Sequence, residues 1–231
     1  MNEQVLGAIA ERLGSRRPAV VGIAGAVAVG KTTLANALGE WFSRTGDRVE
    51  VVSTDAFLFP NEVLEARDLT MRKGFPESYV TEPMLTLIER VRAREAMRIP
   101  VYSHATYDVL RDEERTIEGV DVLVLEGVVA LQSPVRDRLD LAIYIDTEEE
   151  IVRGWFVERF LRLTDEARVD TTSFYHALSG LGPDDVLALA RSAWDMINAV
   201  NLRDHISPTK AVADIVITKG PDHAFVDVTG A

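Results

Sequence analysis

The segment Gly25–Thr32 has the residue types and spacing of a phosphate-binding loop, G-x-x-x-x-G-K-[ST]. The apolar run 19–24 before it predicts a short buried strand, and residues 33–38 after it predict the start of a helix. In that setting successive backbone N–H groups point into one concavity, and the helix dipole adds partial positive charge. Lys31 is expected to contact the β- and γ-phosphates, and the Thr32 hydroxyl to ligate Mg²⁺. The spacing therefore predicts a site for ATP and Mg²⁺.

The predicted phosphate contacts extend over the whole loop and into the first helical turn. They are Gly25, Val27, Ala28, Val29, Gly30, Lys31, Thr32 and Thr33. The alternative is an ordinary glycine-rich turn between a strand and a helix. Four matched positions with both flanks correct disfavour that alternative.

Acidic side chains follow three apolar runs at the point where each run ends. Asp55 comes just after the run 48–53, Glu126 closes 122–125, and Asp146 closes 141–145. Near-continuous apolar strands separated by helices predict a parallel sheet that is covered on both faces, with ligands at the carboxyl ends of its strands. The phosphate loop and these acids are therefore expected along one edge. The alternative for Asp55 is an aspartate that only starts a turn, and the alternative for Glu126 is a strand-end acid that only bonds backbone.

Phosphoryl transfer to a hydroxyl needs a group that takes the hydroxyl proton. Asp55 is the residue predicted to be this base, and Glu126 is predicted to hold a magnesium-bound water. On the helix predicted after Thr147, Arg159 shares an apolar face with Phe156, and a phosphate is a natural partner for its guanidinium. Arg153 and Arg162 of the same helix are expected to form ordinary surface ion pairs.

The segments 99–107 and 115–118 are predicted to form a hairpin around residues 112–114. In that arrangement Tyr102, His104 and Thr106 alternate along one side of a strand and would make a hydrogen-bonding wall for a polar substrate. The alternative is that His104 is a structural residue with no part in chemistry.

The chain as a whole predicts an α/β fold of the P-loop NTPase type, with a mainly parallel sheet, helices on both faces and a small hairpin and loop subdomain on the substrate side. Residues 1–231 are expected to form one domain, with the substrate-side insertion at about 56–118 and a helical lid region at about 147–205. The predicted helices cover 2–13, 31–44, 81–96, 147–163 and a segment from Asp184 or Asp185 to 198, and the last strand covers 213–218. Thr81 and Thr147 are the predicted N-caps of their helices.

Composition limits the classes of partner. The chain has 231 residues and a net charge of −12, so a nucleic-acid partner is not expected. It has no cysteine, which excludes disulfides, thiolate metal sites and cysteine nucleophiles. No apolar stretch approaches the ~20 residues that span a bilayer, and no secretory signal is visible, so a cytoplasmic protein without a membrane partner is expected. The expected partner is a small-molecule substrate, and a homodimer is one assembly that the sequence leaves open.

Several longer motifs resemble the type I (bacterial) pantothenate kinase family, which belongs to the P-loop kinases together with uridine kinase and phosphoribulokinase. The motifs are GIAGAVAVGKTTLANAL, STDAFLFPN, RKGFPESY, PVYSHATYDV, VLVLEG, RFLRL and TKGPDHA. The phosphate loop alone indicates only an NTPase, whereas GFPESY and PVYSH are much more specific. The resemblance runs from about Val20 to His223.

The resemblance implies an ATP-dependent kinase with pantothenate as the first substrate to test. It implies that Asp55 is the base, that Arg159 clamps the transferring phosphate, and that Lys219 and His223 lie near the adenine. Tyr102, His104 and Tyr107 would then line the acceptor site, and Asn198 would hydrogen-bond the substrate.

Some positions depart from the family pattern. Phe156 stands where the family has a substrate-binding tyrosine, Val129 replaces an asparagine, and Asn36 replaces an arginine that contacts the feedback inhibitor coenzyme A. Losing polar donors from a pocket is a route to a changed substrate. A related kinase of a sugar, sugar acid or nucleoside is therefore the alternative enzyme, and a nucleotide-binding regulatory protein is the alternative outside catalysis. A GTPase is disfavoured because the segment 218–222 does not fit the guanine-binding spacing N/T-K-x-D.

Overall fold

A six-stranded sheet forms the centre of the computed structural model, which describes residues 3–230. Its strands are β1 (Ala19–Gly25), β2 (Val49–Ser53), β5 (Val122–Glu126), β6 (Leu141–Asp146), β7 (Ile215–Lys219) and β8 (Phe225–Thr229), and a separate hairpin supplies β3 (Met97–Ser103) and β4 (Asp108–Ile117). The order across the sheet is β2-β5-β1-β6-β7-β8. The first five strands run parallel, and β8 is an antiparallel edge.

The central strands are apolar along their whole length because both faces are covered. Every residue of β1 and β5 is buried. No polar face is left to alternate with an apolar one, which is the pattern expected of a parallel sheet between helices. The predicted α/β fold and the order of its strands along the chain are thus confirmed, and β8 is an addition that the sequence analysis did not foresee.

Helices connect these strands and pack on the sheet. They are α1 (Glu3–Leu13), α2 (Lys31–Arg44), α3 (Asn61–Ala66), α4 (Thr81–Arg92), α5 (Glu149–Glu166) and α6 (Pro183–Ala193). The predicted start of the first helix at Asn2 lies outside the described residues. None of the helices within residues 3–230 combines the length and apolar composition needed to span a bilayer.

Two predicted N-caps were wrong. Thr81 is the first residue of α4, the position before it is Val80, and the helix ends at Arg92 rather than 96. Thr147 precedes the N-cap of α5, which is Glu148, and its hydroxyl donates instead to the carbonyl of Lys219, at 2.9 Å. Both threonines lie next to a helix start, but neither is its N-cap, because a threonine hydroxyl can bond other partners instead.

The hairpin turn also differs from the prediction. It covers residues 104–107, between β3 and β4, and residues 112–114 lie within β4. Tyr102 therefore lies on a strand, whereas His104 and Thr106 lie in the turn, so they do not alternate along one strand face. The acidic run 112–114 suggested a turn by composition, but β4 is exposed over much of its length and can carry charges.

Helix α6 does not end near Asn198 as predicted. It continues through a wide π-helical turn at Trp194–Asn198, a short α-helical segment at Ala199–Asn201 and a second π-helical turn at Leu202–Ile206. A 3₁₀ segment, Ser207–Val212, then leads to β7. Wide turns of this kind occur frequently at functional sites.

Candidate active site

The phosphate loop turns between β1 and α2 through a series of backbone conformations with positive φ. Gly25 has φ 147°, Ala28 has φ 68° and Gly30 has φ 97°. A Cβ at Gly25 would lie 2.5 Å from the carbonyl oxygen of Ile145, and one at Gly30 would lie 2.9 Å from Nζ of Lys219. Glycine is therefore required at Gly25 by conformation and by space, and it is favoured at Gly30 by conformation, since the end of the Lys219 side chain can move. The strand–loop–helix context predicted for the motif is present.

Lys31 is the first residue of α2, and its ammonium folds back over the loop. Its Nζ donates to the carbonyl oxygens of Ala26, at 2.8 Å, and Gly25, at 3.2 Å. Burial lowers the pKa of Lys31, the charges of Glu126 and Asp55 act to raise it, and Arg159 lowers it further. The ammonium therefore lies within electrostatic reach of all three of the other charged candidates.

Thr32 and Glu126 meet at the end of β5. The Thr32 hydroxyl donates to Oε1 of Glu126 at 2.9 Å, and Glu126 is only 5% exposed. Burial raises the pKa of Glu126, whereas Lys31 and the Thr32 hydroxyl act to lower it. A hydroxyl and a carboxylate are the hard oxygen donors that suit Mg²⁺, which commonly takes one or two protein ligands together with substrate phosphates. No cluster of three or more acidic, histidine or cysteine side chains with metal-binding geometry occurs in the described chain, so this pair is the donor set that fits such an ion.

Asp55 lies just beyond the carboxyl end of β2, in the 3₁₀ turn Thr54–Phe57. Ser53 caps this turn by accepting the Asp55 N–H with its hydroxyl, at 3.3 Å. The phenol of Tyr79 donates to Oδ1 of Asp55 at 3.0 Å. The carboxylate is half-buried and fixed by one neighbour, which is a suitable setting for a base.

Lys73, which the sequence analysis did not single out, places a second cation near Asp55. Its Nζ donates to Oδ1 of Asn61 at 2.7 Å and to the backbone carbonyl of Tyr107. It also lies 4.1 Å from the ring centre of Tyr107 and 5.4 Å from that of Tyr102. Burial lowers the pKa of Lys73 to about 8, although Asp108 and Asp55 act to raise it. Its membership of the RKGFPESY motif was a signal that could have pointed to it.

A continuous series of ring contacts links the hairpin to helices α5 and α6. In order of contact the rings are His104, Tyr102, Tyr107, Phe174, Tyr175, Phe160, Phe156 and Trp194. Neighbouring centroids lie between 4.9 Å, for Tyr107 and Phe174, and 6.3 Å, for Tyr102 and Tyr107. Four of the predicted acceptor residues, Tyr102, His104, Tyr107 and Phe156, therefore belong to one aromatic wall.

The arginines of α5 separate into two groups. Arg153 pairs with Asp195 at 3.1 Å and Arg162 with Glu166 at 2.9 Å, as expected for surface residues. Arg159 is exposed rather than enclosed in an apolar stripe, and it has no ion pair with any residue in 3–230. Its charge acts on Lys31, Tyr107 and Tyr175. It therefore lies between the phosphate loop and the aromatic wall.

Lys219 is the last residue of β7, and His223 lies between β7 and β8. Nζ of Lys219 donates to the carbonyl of Val29 in the phosphate loop at 2.9 Å and lies 5.0 Å from the ring centre of Trp155. His223 stacks on Trp155 with ring centres 4.0 Å apart. Burial lowers the pKa of Lys219. Lys219 therefore contacts the loop directly, and Trp155 lies against both Lys219 and His223.

Asn198 stands apart from these contacts. Its side-chain amide donates to the carbonyl of Ala193 in its own helix, at 3.1 Å. Asn201, one helical turn further on, is 4% exposed and donates to the carbonyl of Gly74 at 2.8 Å. A substrate contact by Asn198 stays a prediction.

The chain was also compared with known proteins. The model of the phosphoribulokinase/uridine kinase family matches residues 20–162. A pantothenate kinase from Sorangium cellulosum is 45% identical over 219 residues, which cover 90% of this chain and 71% of that protein. A pantothenate kinase from Streptococcus gordonii is 38% identical, with 92% of this chain and 72% of that protein covered.

Among solved structures, D-glycerate 3-kinase from Cryptococcus neoformans has a TM-score of 0.66 and 12% identity, and covers 98% of this chain and 97% of that one. At that identity the likeness supports the fold alone. The family model and the two curated relatives go further, because the model matches residues 20–162, a range that contains the phosphate loop and the acidic strand ends, and each relative covers at least 90% of this chain. The chain belongs to the phosphoribulokinase/uridine kinase family and is an ATP-dependent kinase that acts on a hydroxyl group of a small molecule.

Proposed function

We propose that this kinase transfers the γ-phosphoryl group of ATP to a hydroxyl of pantothenate. The observation that carries the proposal is that three charged side chains all influence the ammonium of Lys31. They are Glu126, Asp55 and Arg159. These three side chains come from separate elements, and each has a distinct part to play in phosphoryl transfer. The names of the curated relatives support pantothenate as the acceptor.

On the donor side, the backbone N–H groups of the loop hold the phosphates and Lys31 binds the β- and γ-phosphate oxygens. Its bonds to the carbonyls of Gly25 and Ala26 keep the ammonium over the loop. Thr32 and Glu126 would hold Mg²⁺, which neutralises phosphate charge when bound. Lys219 and His223 lie where they can border the base of the nucleotide.

On the acceptor side, Asp55 takes the proton of the acceptor hydroxyl as the new O–P bond forms and the bond to the leaving ADP oxygen breaks. The proton ends on the Asp55 carboxylate, and the leaving electron pair stays on ADP. Arg159 is exposed and has no ion pair in the described chain. Its guanidinium is therefore available to bind the transferring phosphoryl group and to stabilise its charge. General-base assistance of this kind contributes about 10²–10⁴ to the rate.

The aromatic wall and Lys73 form the proposed acceptor pocket. Lys73 supplies a positive charge that suits an acceptor with a carboxylate, and Tyr102 and Tyr107 supply hydroxyl groups. Asn198 is proposed to contact the acceptor as well. Phe156 brings no hydroxyl to the wall, which is the observation that keeps a sugar acid, a sugar or a nucleoside as the second candidate acceptor.

We further propose the domain plan predicted from the sequence: one kinase domain, with a substrate-side insertion at about 56–118 and a helical lid at about 147–205. The insertion carries Lys73, Tyr102 and Tyr107, and the lid carries Arg159. This division assigns acceptor-binding residues to both parts, because the aromatic wall extends from the insertion into the lid, and it assigns the transferring phosphate to the lid. A cytoplasmic location, a small-molecule substrate and the absence of nucleic-acid and membrane partners are part of the same proposal, which leaves a homodimer open.

The decisive experiment measures ADP formation with purified protein, ATP and Mg²⁺ against a panel of pantothenate, sugar acids, sugars and nucleosides. Lys31→Ala is the control for activity from contaminating kinases. Acceptor-dependent turnover that is highest with pantothenate and lost in Lys31→Ala is the expected result. Turnover only with another acceptor would contradict pantothenate, and no acceptor-dependent turnover with any member would contradict the mechanism.

A further inference from the structure

Tyr79 is a buried tyrosine whose hydroxyl is directed at the proposed base. It is 6% exposed, and its hydroxyl donates to Oδ1 of Asp55 at 3.0 Å. The ring borders a small cavity that is lined by both apolar and polar side chains, among them Met84, Val129 and Gln132. Packing alone would be served as well by phenylalanine, so the hydroxyl is the feature to explain.

The backbone holds Tyr79 and the turn of Asp55 as one unit. The N–H of Phe59 donates to the carbonyl of Ser78 at 2.9 Å, and the N–H of Val80 donates to the carbonyl of Phe57 at 2.8 Å. These two bonds flank an antiparallel bridge between Leu58 and Tyr79. The phenol and the carboxylate are therefore joined twice, through side chains and through main chain.

We propose that Tyr79 is the positioning residue of Asp55: its phenol holds Oδ1 and so leaves Oδ2 to accept the proton of the acceptor hydroxyl. This inference rests on the proposed function, in which Asp55 is the base. A carboxylate with one oxygen fixed can rotate less about its side-chain bonds, so the other oxygen meets the hydroxyl in a narrower range of positions. Tyr79 itself never touches the reacting atoms in this scheme.

The raised pKa of Tyr79 keeps its phenol protonated, as a hydrogen-bond donor must be. Burial raises the pKa of Tyr79 well above its usual value, and the nearby Asp55 charge raises it further. The phenol thus remains a neutral donor over the whole working range. The titratable groups that interact with Asp55 are Lys31, Lys73, Tyr79, Tyr102, Tyr107 and Glu126.

The test uses Tyr79→Phe, which removes the hydroxyl and keeps the ring. We expect kcat with the best acceptor to fall about tenfold to a hundredfold while the KM for ATP is unchanged. Tyr144→Phe is the matched control, since Tyr144 is a buried tyrosine on β6 that bonds Ser207.

A double-mutant cycle separates positioning from general damage. In the Asp55→Asn background, Tyr79→Phe is expected to change kcat by less than about twofold, because the group that it positions is gone. Full additivity of the two losses, or an unchanged kcat in Tyr79→Phe alone, would overturn the proposal. Normal kcat in Asp55→Asn would instead refute the proposed function, which keeps the two failures distinct.

If Tyr79→Phe does not fold, as judged by thermal melting, 3-fluorotyrosine at position 79 provides the second measurement. Its more acidic phenol donates a stronger hydrogen bond to Asp55, so kcat should change when Asp55 is present and stay constant in the Asp55→Asn background. The same kcat with either form of tyrosine at position 79 would count against the proposal.

Discussion

The charge of Lys73 gives the most direct test of the acceptor pocket, because its pKa of about 8 lies within the range of an ordinary assay. As pH rises through this value the ammonium becomes neutral, and one unit above it about one molecule in eleven keeps the charge. If the cation binds an acidic acceptor, kcat/KM for that acceptor should therefore fall about tenfold for each pH unit above about 8. The parameter kcat/KM for the acceptor is the correct one because, at saturating ATP, it reports groups of the ATP-bound enzyme before the acceptor binds.

The perturbation is Lys73→Arg, compared with Lys73→Met. Arginine stays charged throughout, so its profile should lose the decline above pH 8. Methionine keeps the chain length without charge, so its kcat/KM should be low at every pH and should show no decline. Lys210→Met is the matched control, since Lys210 pairs with Asp146 at the surface and should keep the wild-type profile.

The assay measures initial rates against acceptor concentration from about pH 6 to about pH 9.5 at saturating ATP and constant ionic strength. A wild-type profile that is flat above pH 8 would refute the reasoning. So would a Lys73→Arg variant that keeps the wild-type decline, because the titrating group would then be another residue.

Three further predictions concern the transfer itself. Lys31→Ala should abolish measurable turnover while the melting temperature stays close to that of the wild type. The reason is that loss of the ammonium that contacts the β- and γ-phosphates costs several kcal/mol in the transition state. Near-normal turnover would exclude the role proposed for Lys31 on the donor side. Asp55→Asn should lower kcat by about 10²-fold or more with little change in ATP binding, measured by nucleotide titration, and a large loss of affinity at normal kcat would identify Asp55 as a metal-site residue instead. Phe156→Tyr should raise kcat/KM for pantothenate by about tenfold to a hundredfold, because a buried polar group of the acceptor regains a partner worth ~1–3 kcal/mol. High native activity with pantothenate that the substitution does not improve would show that Phe156 does not limit it.

The sequence was sufficient for the parts of the molecule that depend on local pattern. Strands β1 and β5 are recognisable because burial on both faces produces a continuous apolar run. The loop between β1 and α2 is recognisable because its positive φ angles call for glycines at a fixed spacing. Placing Asp55 and Glu126 at one edge follows from the parallel direction of their strands. Their electrostatic influence on Lys31 follows from that shared edge.

Other parts depend on contacts between distant segments and leave little local signal. The hydrogen bond from Tyr79 to Asp55 joins residues 24 positions apart, and that from Asn201 to Gly74 spans 127. The burial that lowers the pKa of Lys73 is also assembled from remote segments. The hairpin turn was misplaced for the opposite reason, because local composition at 112–114 outweighed the pairing that sets the register of β3 and β4.

The helix that begins at Pro183 contains two π-helical turns, so the contacts that it makes beyond these turns depend on its number of residues. Each residue of a helix rotates the next by about 100°, so removing one residue from Trp194–Asn198 would turn everything beyond it by that amount. Asn201 would leave the carbonyl of Gly74, and the ring of His205 would leave Phe75, against which it packs with centroids 5.7 Å apart. A single-residue deletion here should therefore do more harm than most substitutions. In aligning or engineering this chain, gaps belong in the exposed loops and not in this helix.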